Sequence, residues 1–169
     1  MEETLLKVLE NRSLYYGPCV KELIKLIARV QGKVDLEAQK VFGKHIHAFS
    51  WAFFTGLNEN KRETEVEWVN RDGFSLGTIY RDEAGVAADV MIMVALNEFE
   101  IQNIEEDFTK QTSIRDILNI ISFYAEGGAK HILEIREGND LHSKTYLNNV
   151  DDFFDVVNSR VKTEEAINE

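Results

Sequence analysis

Apolar residues recur at helical spacing in the first segments of the chain. Leu5, Leu6 and Leu9 share one face, and a second stripe lies on Val20, Leu23, Ile24, Ile27 and Val30. Pro18 follows Gly17 directly before the second stripe, and proline suits the first turn of a helix because no backbone N–H is needed there. This spacing predicts two amphipathic helices before Gly32.

The helical pattern continues through the rest of the chain. The run HIHAFSWAFFTGL is apolar over most of its circumference, which is typical of a helix central to a core. Further helices are predicted in LEAQKVFG, EAGVAADVMIMVALNE, IRDILNIISFYAE, AKHILEIRE and VDDFFDVVNSRV. In EAGVAADVMIMVALNE we expect the buried residues to be Val86, Val90, Val94 and Leu96.

A break in the helical pattern leaves room for a small amount of β-structure. The run VEWVNRDGFSLGTIYR alternates in part around Asp72-Gly73, which allows one short β-hairpin around residues 66–80. A single proline in 169 residues favours helix elsewhere. The predicted fold is therefore mainly α: a compact multi-helix domain over residues 1–161, followed by a frayed acidic tail at 162–169.

Two adjacent glycines, Gly127 and Gly128, stand inside the stretch SFYAEGGAKHILEI. A phosphate-binding loop needs a strand before it and further glycines or a Lys-Ser/Thr pair at fixed offsets, and neither is present. We therefore predict a helix–helix corner. In this corner Gly127 takes the left-handed conformation that ends one helix, and Gly128 allows close packing beside Tyr124.

Histidine and cysteine, two residue types that often carry catalysis or bind metals, are few in this chain. His45 and His47 point away from each other on a helix, and Cys19 is the only cysteine. The dipole at a helix start can lower the pKa of a thiol such as that of Cys19, but no partner base is identifiable. The sequence therefore favours a non-enzymatic protein, leaves a small enzyme as the least supported alternative, and predicts no metal, no cofactor and no internal disulfide.

The net charge of the chain makes some classes of binding partner less favourable than others. The chain carries a net charge of −11, which argues against broad attachment to DNA or to anionic membranes. Its longest apolar run, VMIMVAL, is far shorter than the roughly 20 residues of a membrane span, and the N-terminus has no signal-peptide pattern. We expect a cytoplasmic protein. Acidic runs such as EFEIQNIEED are either solvated surface or a face for a basic protein.

The segment after the most apolar helix is a candidate for binding a protein partner. It places Arg62 and Trp68 on either side of a run of glutamates that includes Glu65. Arginine and tryptophan are the types most enriched in interface hot spots. The predicted partner-binding residues are Arg62, Glu65 and Trp68, with Arg62 pairing a carboxylate of the partner. The alternative is that Trp68 packs on the core of its own domain.

A second candidate surface lies on the helix after Pro18. Its basic residues are spaced by four and share one face: Lys21, Lys25, Arg29 and Lys33. This face gives an alternative function, a sequence-tolerant DNA-binding regulator. Solvated lysines opposite an apolar stripe are also the default for an amphipathic helix. The sequence leaves a homo-oligomer open.

Several short motifs, taken together, resemble a known family. HAFSWAFFTGLNENKRETEVEW, MIMVALNE and IISFYAEGGAKHIL, within residues 45–135, are similar to Dnd system-associated protein 4, a family encoded beside bacterial DNA phosphorothioation operons. The matching positions are Phe49, Ala52, Gly56, Arg62, Trp68, Tyr124, Ala125, Gly127 and Gly128. The chain departs from the family pattern at Phe123 and Glu126, where the family has glutamate and asparagine.

The resemblance implies a bacterial host and a role near modification-dependent defence, with no established reaction. Our hypothesis from the sequence is a small helical accessory protein of a bacterial DNA-modification or anti-phage defence system. It would act by binding a protein partner, one with a basic or DNA-binding surface.

Overall fold

The computed structural model of the protein describes residues 5–28, 44–68, 73–81, 85–102 and 111–138. These residues form the helices α1 (Leu5–Asn11), α2 (Pro18–Ile27), α3 (His45–Asn58), α4 (Leu76–Arg81), α5 (Gly85–Gln102) and α6 (Gln111–Gly138). They also form two short strands, β1 (Ser13–Tyr15) and β2 (Gly73–Ser75). The predicted mainly α fold is confirmed.

The long helix α6 lies at the centre of the described structure. It packs against α2, α3, α5 and β1. Its side chains Ile117, Ile121 and Ile132 are buried in one hydrophobic core, together with Phe49 and Phe53 of α3. Because a single core joins these helices, the position of any residue on α6 decides which of the other elements it meets.

The predicted corner at Gly127-Gly128 is wrong. Helix α6 continues through both glycines to Gly138, and neither glycine has the left-handed conformation of a helix end. Two glycines inside a helix cost about 2 kcal/mol relative to alanine, so packing against neighbouring elements has to offset this cost.

The short β-structure joins distant parts of the chain. Strand β2 lies within the range 66–80 predicted for a hairpin, but it pairs antiparallel with β1, and Leu14 stands opposite Phe74. Leu14 is fully buried, and the Phe74 ring packs edge-on against Phe49 with 4.9 Å between ring centroids. These buried contacts with β1 and α3 position β2.

The face that α5 buries most deeply differs from the predicted one, of which Val90, Val94 and Leu96 are half-buried. Val86, expected in the core, is 78% exposed, and Met93 is 68% exposed. The residues that α5 buries are Ala88, Met91, Ile92, Ala95 and Phe99. A helix that is apolar on nearly all sides has no distinct stripe, so its neighbours α4 and α6 decide which side is covered.

Some predicted elements lie outside the described residues. They are the helices in LEAQKVFG and VDDFFDVVNSRV and the tail at 162–169. Within the described ranges, no helix combines the length and the apolar composition needed to cross a membrane.

Candidate functional site

Helices α3 and α6 touch at their backbones where Gly56 meets Gly128. A Cβ atom on Gly128 would overlap the carbonyl oxygen of Ala52 and lie 2.5 Å from the backbone nitrogen of Gly56. A Cβ atom on Gly56 would in turn overlap the carbonyl oxygen of Tyr124. The small residues on both helices therefore allow an approach that no larger side chain permits.

Gly127 makes a similar contact with the segment that follows α3. A Cβ atom at this position would lie 2.5 Å from the carbonyl oxygen of Lys61 and 2.9 Å from the Cα atom of Arg62. The backbone N–H of Glu63 donates a hydrogen bond to the carbonyl oxygen of Phe123 at 3.2 Å. The segment is thus fixed along α6, directly beside the aromatic residues of that helix.

The end of α3 turns the chain toward α6. Asn60 has a positive φ of 50°. The backbone N–H of Lys61 donates to the carbonyl oxygen of Gly56 at 2.8 Å, and that of Asn60 donates to Leu57 at 3.3 Å. This pair of bonds is the Schellman motif, in which asparagine can take the left-handed position that glycine usually occupies.

A cluster of three polar side chains links this segment to α5 and α6. The Nη1 atom of Arg62 lies 2.5 Å from Oε2 of Glu98, and the two side chains are 25% and 19% exposed. The Tyr124 hydroxyl donates a hydrogen bond to the other oxygen of the Glu98 carboxylate. Burial, with a smaller contribution from Glu98, raises the pKa of Tyr124 to about 12. The phenol therefore stays protonated at neutral pH.

Trp68 lies flat on Phe123. The two rings are 5.9 Å apart between centroids and inclined by 14°. The Arg62 guanidinium lies 5.8 Å from the centroids of both Phe123 and Tyr124, within the range of a cation–π interaction. Trp68 nevertheless remains 37% exposed. It is an apolar side chain held in one orientation at the surface.

Glutamates precede Trp68 at every second position: Glu63, Glu65 and Glu67. Glu65 and Glu67 are exposed, whereas Glu63 is bound by Lys130, with 2.7 Å between Nζ and Oε1. We call Trp68 together with Glu65 and Glu67 the Trp68 surface. It combines one fixed aromatic ring with two exposed carboxylates.

Glu126 lies on nearly the opposite face of α6 from Tyr124, because two helical positions are separated by about 200° of rotation, and it has a different role. Its side chain is buried, and its two carboxylate oxygens accept hydrogen bonds from the start of α2. The donors are the backbone N–H groups of Gly17 at 3.1 Å, Cys19 at 2.7 Å and Val20 at 3.2 Å. Gly17 has no side chain to cap this helix, so Glu126 supplies the cap from a distant element.

This arrangement makes Cys19 a poor nucleophile. Burial, then the negative charge of Glu126 and a hydrogen bond to it, raise the pKa of the Cys19 thiol from near 9 to about 12. The position at the start of a helix would lower the pKa, but the carboxylate outweighs the dipole here. Cys19 is a neutral thiol throughout the physiological range.

We expect Cys19 in the folded protein to react with iodoacetamide at pH 8 far more slowly than in urea. The thiolate is the reactive form, and a pKa of about 12 instead of 9 lowers its population about a thousandfold. Mass spectrometry of the alkylated protein over time measures both rates. Equal rates before and after unfolding would contradict the described environment of the thiol.

The structure brings part of the predicted partner-binding site together and changes the role of one member. The Nη1 atom of Arg62 pairs with Glu98 of its own chain, so a carboxylate of a partner would have to compete with this ion pair. Glu65 is exposed, and Trp68 is both stacked on its own domain and partly exposed. Arg62 therefore acts as internal support for the Trp68 surface.

The predicted basic face is described only in part. Lys21 is half-buried and Lys25 is exposed on α2. Arg29 and Lys33 lie outside the described residues. The proposal that this face binds DNA therefore stays a prediction from the sequence.

Sequence reasoning missed the roles of Glu98, Phe123 and Glu126. A signal for Glu126 was present, because it is the one charged residue between Asp116 and Lys130. A lone charge in so apolar a stretch is expected to have a buried partner. Glu98 lies in an acidic run and gives no such signal, since its partner Arg62 is remote in sequence.

Among the described residues, no group of three or more His, Cys, Asp or Glu side chains is placed to hold a metal ion. In comparisons with protein-family models, with curated proteins and with solved structures, no match to this chain was found.

Proposed function

We propose that this chain is a non-enzymatic accessory protein that binds a protein partner through the Trp68 surface. The observation that carries this proposal is the partly exposed Trp68 ring, which Phe123 holds flat. An aromatic side chain fixed before binding loses little conformational entropy when it enters a pocket of a partner.

The proposed setting is a bacterial DNA-modification or anti-phage defence system, on the strength of the resemblance to Dnd system-associated protein 4. Several motif positions that carry the resemblance meet in space. Gly56 and Ala52 pack against Gly128, and Arg62 lies beside Tyr124. Positions that are far apart in sequence are therefore neighbours at the contact between α3, α6 and the segment after α3. Their shared role in this packing explains why they would occur together as a motif.

The partner that fits this surface has an apolar pocket flanked by basic side chains. The pocket would accept the exposed part of Trp68, and lysine or arginine side chains would face the carboxylates of Glu65 and Glu67. Charge complementarity of this kind accelerates association, and the negative net charge of −11 contributes in the same direction. A DNA-binding protein has a surface of this character.

The arrangement of the polar side chains near Trp68 favours a binding role over a catalytic one. The carboxylate of Glu98 is occupied by Arg62 and Tyr124, and the high pKa of Tyr124 removes the phenol as a base at neutral pH. The Cys19 thiol is neutral for the reasons given above. The cluster of Arg62, Glu98 and Tyr124 therefore supports Phe123, the ring on which Trp68 stacks.

We expect Trp68→Ala to weaken partner binding about thirtyfold, because a central aromatic hot spot contributes about 2 kcal/mol or more. Affinity capture from the source organism identifies the partner, and the purified partner is then titrated against each variant by calorimetry. Met93→Ala is the matched control, since it removes a 68% exposed apolar side chain from α5. Glu65→Gln with Glu67→Gln should mainly slow association and reduce its salt dependence.

The thermal stability of the Trp68→Ala variant distinguishes a Trp68 that docks a partner from a Trp68 that packs on the core of its own domain. The proposal expects Trp68→Ala to lower the thermal midpoint by no more than about 4 °C, since only one stacked aromatic contact is lost. An unfolded Trp68→Ala protein, or unchanged affinity for the partner, would refute docking through Trp68. Arg62→Ala is a less specific test, because it also leaves Glu98 without its ion-pair partner. Tight, salt-dependent binding to duplex DNA with no protein captured would favour the DNA-binding alternative.

A further inference from the structure

A cleft of about 470 Å³ lies on a different part of the molecule, between the end of α1, β1 and the first turns of α6. Its walls include Arg12, Ser13 and Tyr15 on one side and Thr112, Arg115 and Leu118 on the other. The residues of the Trp68 surface are not among those that line it. The cleft is therefore a separate candidate site.

Both charged side chains that line the cleft are arginines, although the chain as a whole is strongly acidic. Within the described part of the chain, the Arg12 side chain has no carboxylate partner. Arg115 is 3.6 Å from the Oδ1 atom of Asp116, and both side chains are largely exposed. An exposed pair at this distance contributes little, so the Arg115 guanidinium remains available to a ligand.

The size of the cleft indicates a ligand larger than a simple ion. A water molecule occupies about 30 Å³ in the liquid, so the cleft has the volume of roughly fifteen waters and falls in the usual range for small-molecule sites. The apolar part of the wall consists of Leu118, Ile114 and the ring of Tyr15, which is 38% exposed. The cleft thus offers a charged end and an apolar surface to one ligand.

We propose that this cleft binds a small organic phosphate ester that carries an aromatic group. A phosphate monoester bears a charge of about −1.5 to −2 at pH 7, which two guanidinium groups neutralise, whereas a carboxylate would match only one of them. The planar guanidinium binds phosphate oxygens in a bidentate manner. The aromatic group of the ligand packs against Tyr15 and Leu118.

Calorimetric titration with adenosine 5′-monophosphate, adenosine and inorganic phosphate tests this assignment. We expect the monophosphate to bind more tightly than either fragment. Arg12→Gln and Arg115→Gln should each weaken its binding about tenfold, the effect of losing one charge-assisted hydrogen bond. Tyr15→Leu should weaken binding of the monophosphate but leave binding of inorganic phosphate unchanged. Arg81→Gln removes an exposed arginine of α4 that does not line the cleft, and it should bind like the parent.

Three results would overturn the proposal. The first is no binding at millimolar monophosphate, and the second is equal binding by the parent and both arginine variants. The third is a phosphoserine peptide that binds at least as tightly as the monophosphate, since this would assign the cleft to a protein ligand. Because both arginines are exposed, folding of the variants is expected, and circular dichroism verifies it.

Discussion

Gly128→Ala is expected to lower the free energy of unfolding by about 2 kcal/mol. The added methyl group would overlap the backbone of Ala52 and Gly56, which cannot rotate away as a side chain can. Overpacking of this kind costs about 1 to 3 kcal/mol and occasionally more, and the better helix propensity of alanine returns only about 1 kcal/mol. Urea denaturation followed by circular dichroism measures the change.

Gly85→Ala is the matched control for this substitution. A Cβ atom at Gly85 would meet nothing closer than a Tyr80 ring carbon at 3.3 Å, and that side chain can adjust. We expect the control to be neutral or slightly stabilising, because alanine favours helix. A Gly128→Ala protein as stable as the parent would show that α3 and α6 do not meet at their backbones.

Glu126→Ala is expected to destabilise the protein by about 3 kcal/mol, since it leaves the N–H groups at the start of α2 without an acceptor in a buried site. Glu126→Gln should have a smaller effect, because the amide oxygen still accepts one of these bonds. The same urea denaturation measures both variants. Iodoacetamide labelling adds a second measurement, since loss of the negative charge should lower the pKa of Cys19 and accelerate its alkylation.

Glu134→Ala removes an exposed glutamate from the same helix and provides the comparison. A surface substitution of this kind is expected to stay within about 0.5 kcal/mol of the parent. If Glu126→Ala were as stable as Glu134→Ala, the buried carboxylate would not be the cap of α2.

The sequence by itself determined which segments are helical wherever apolar residues recur clearly at helical spacing among polar ones. In α2 the residues at helical spacing, Val20, Leu23, Ile24 and Ile27, are the buried ones. Trp68 and Glu65 could also be selected as candidates from residue type alone. The reason is physical: amphipathic spacing and hot-spot composition are local properties, and a local pattern records them directly.

The tertiary structure decided what local patterns leave open. In a sequence, a pair of glycines at a helix end cannot be distinguished from a pair that allows another backbone to pack closely. The close approach of α3 and Lys61 shows that Gly127 and Gly128 have the second role. The buried face of α5 was likewise undetermined, because its apolar residues surround the axis.

The pairing of Arg62 with Glu98 and the capping of α2 by Glu126 were also decided by the fold. Each contact joins residues far apart in the chain, and the free energy of such a contact depends on burial and geometry that no sequence window contains. Arg62 therefore appeared from the sequence as a residue for a partner. The packing of α6 against α5 and the segment after α3 turned it into the internal support for Trp68.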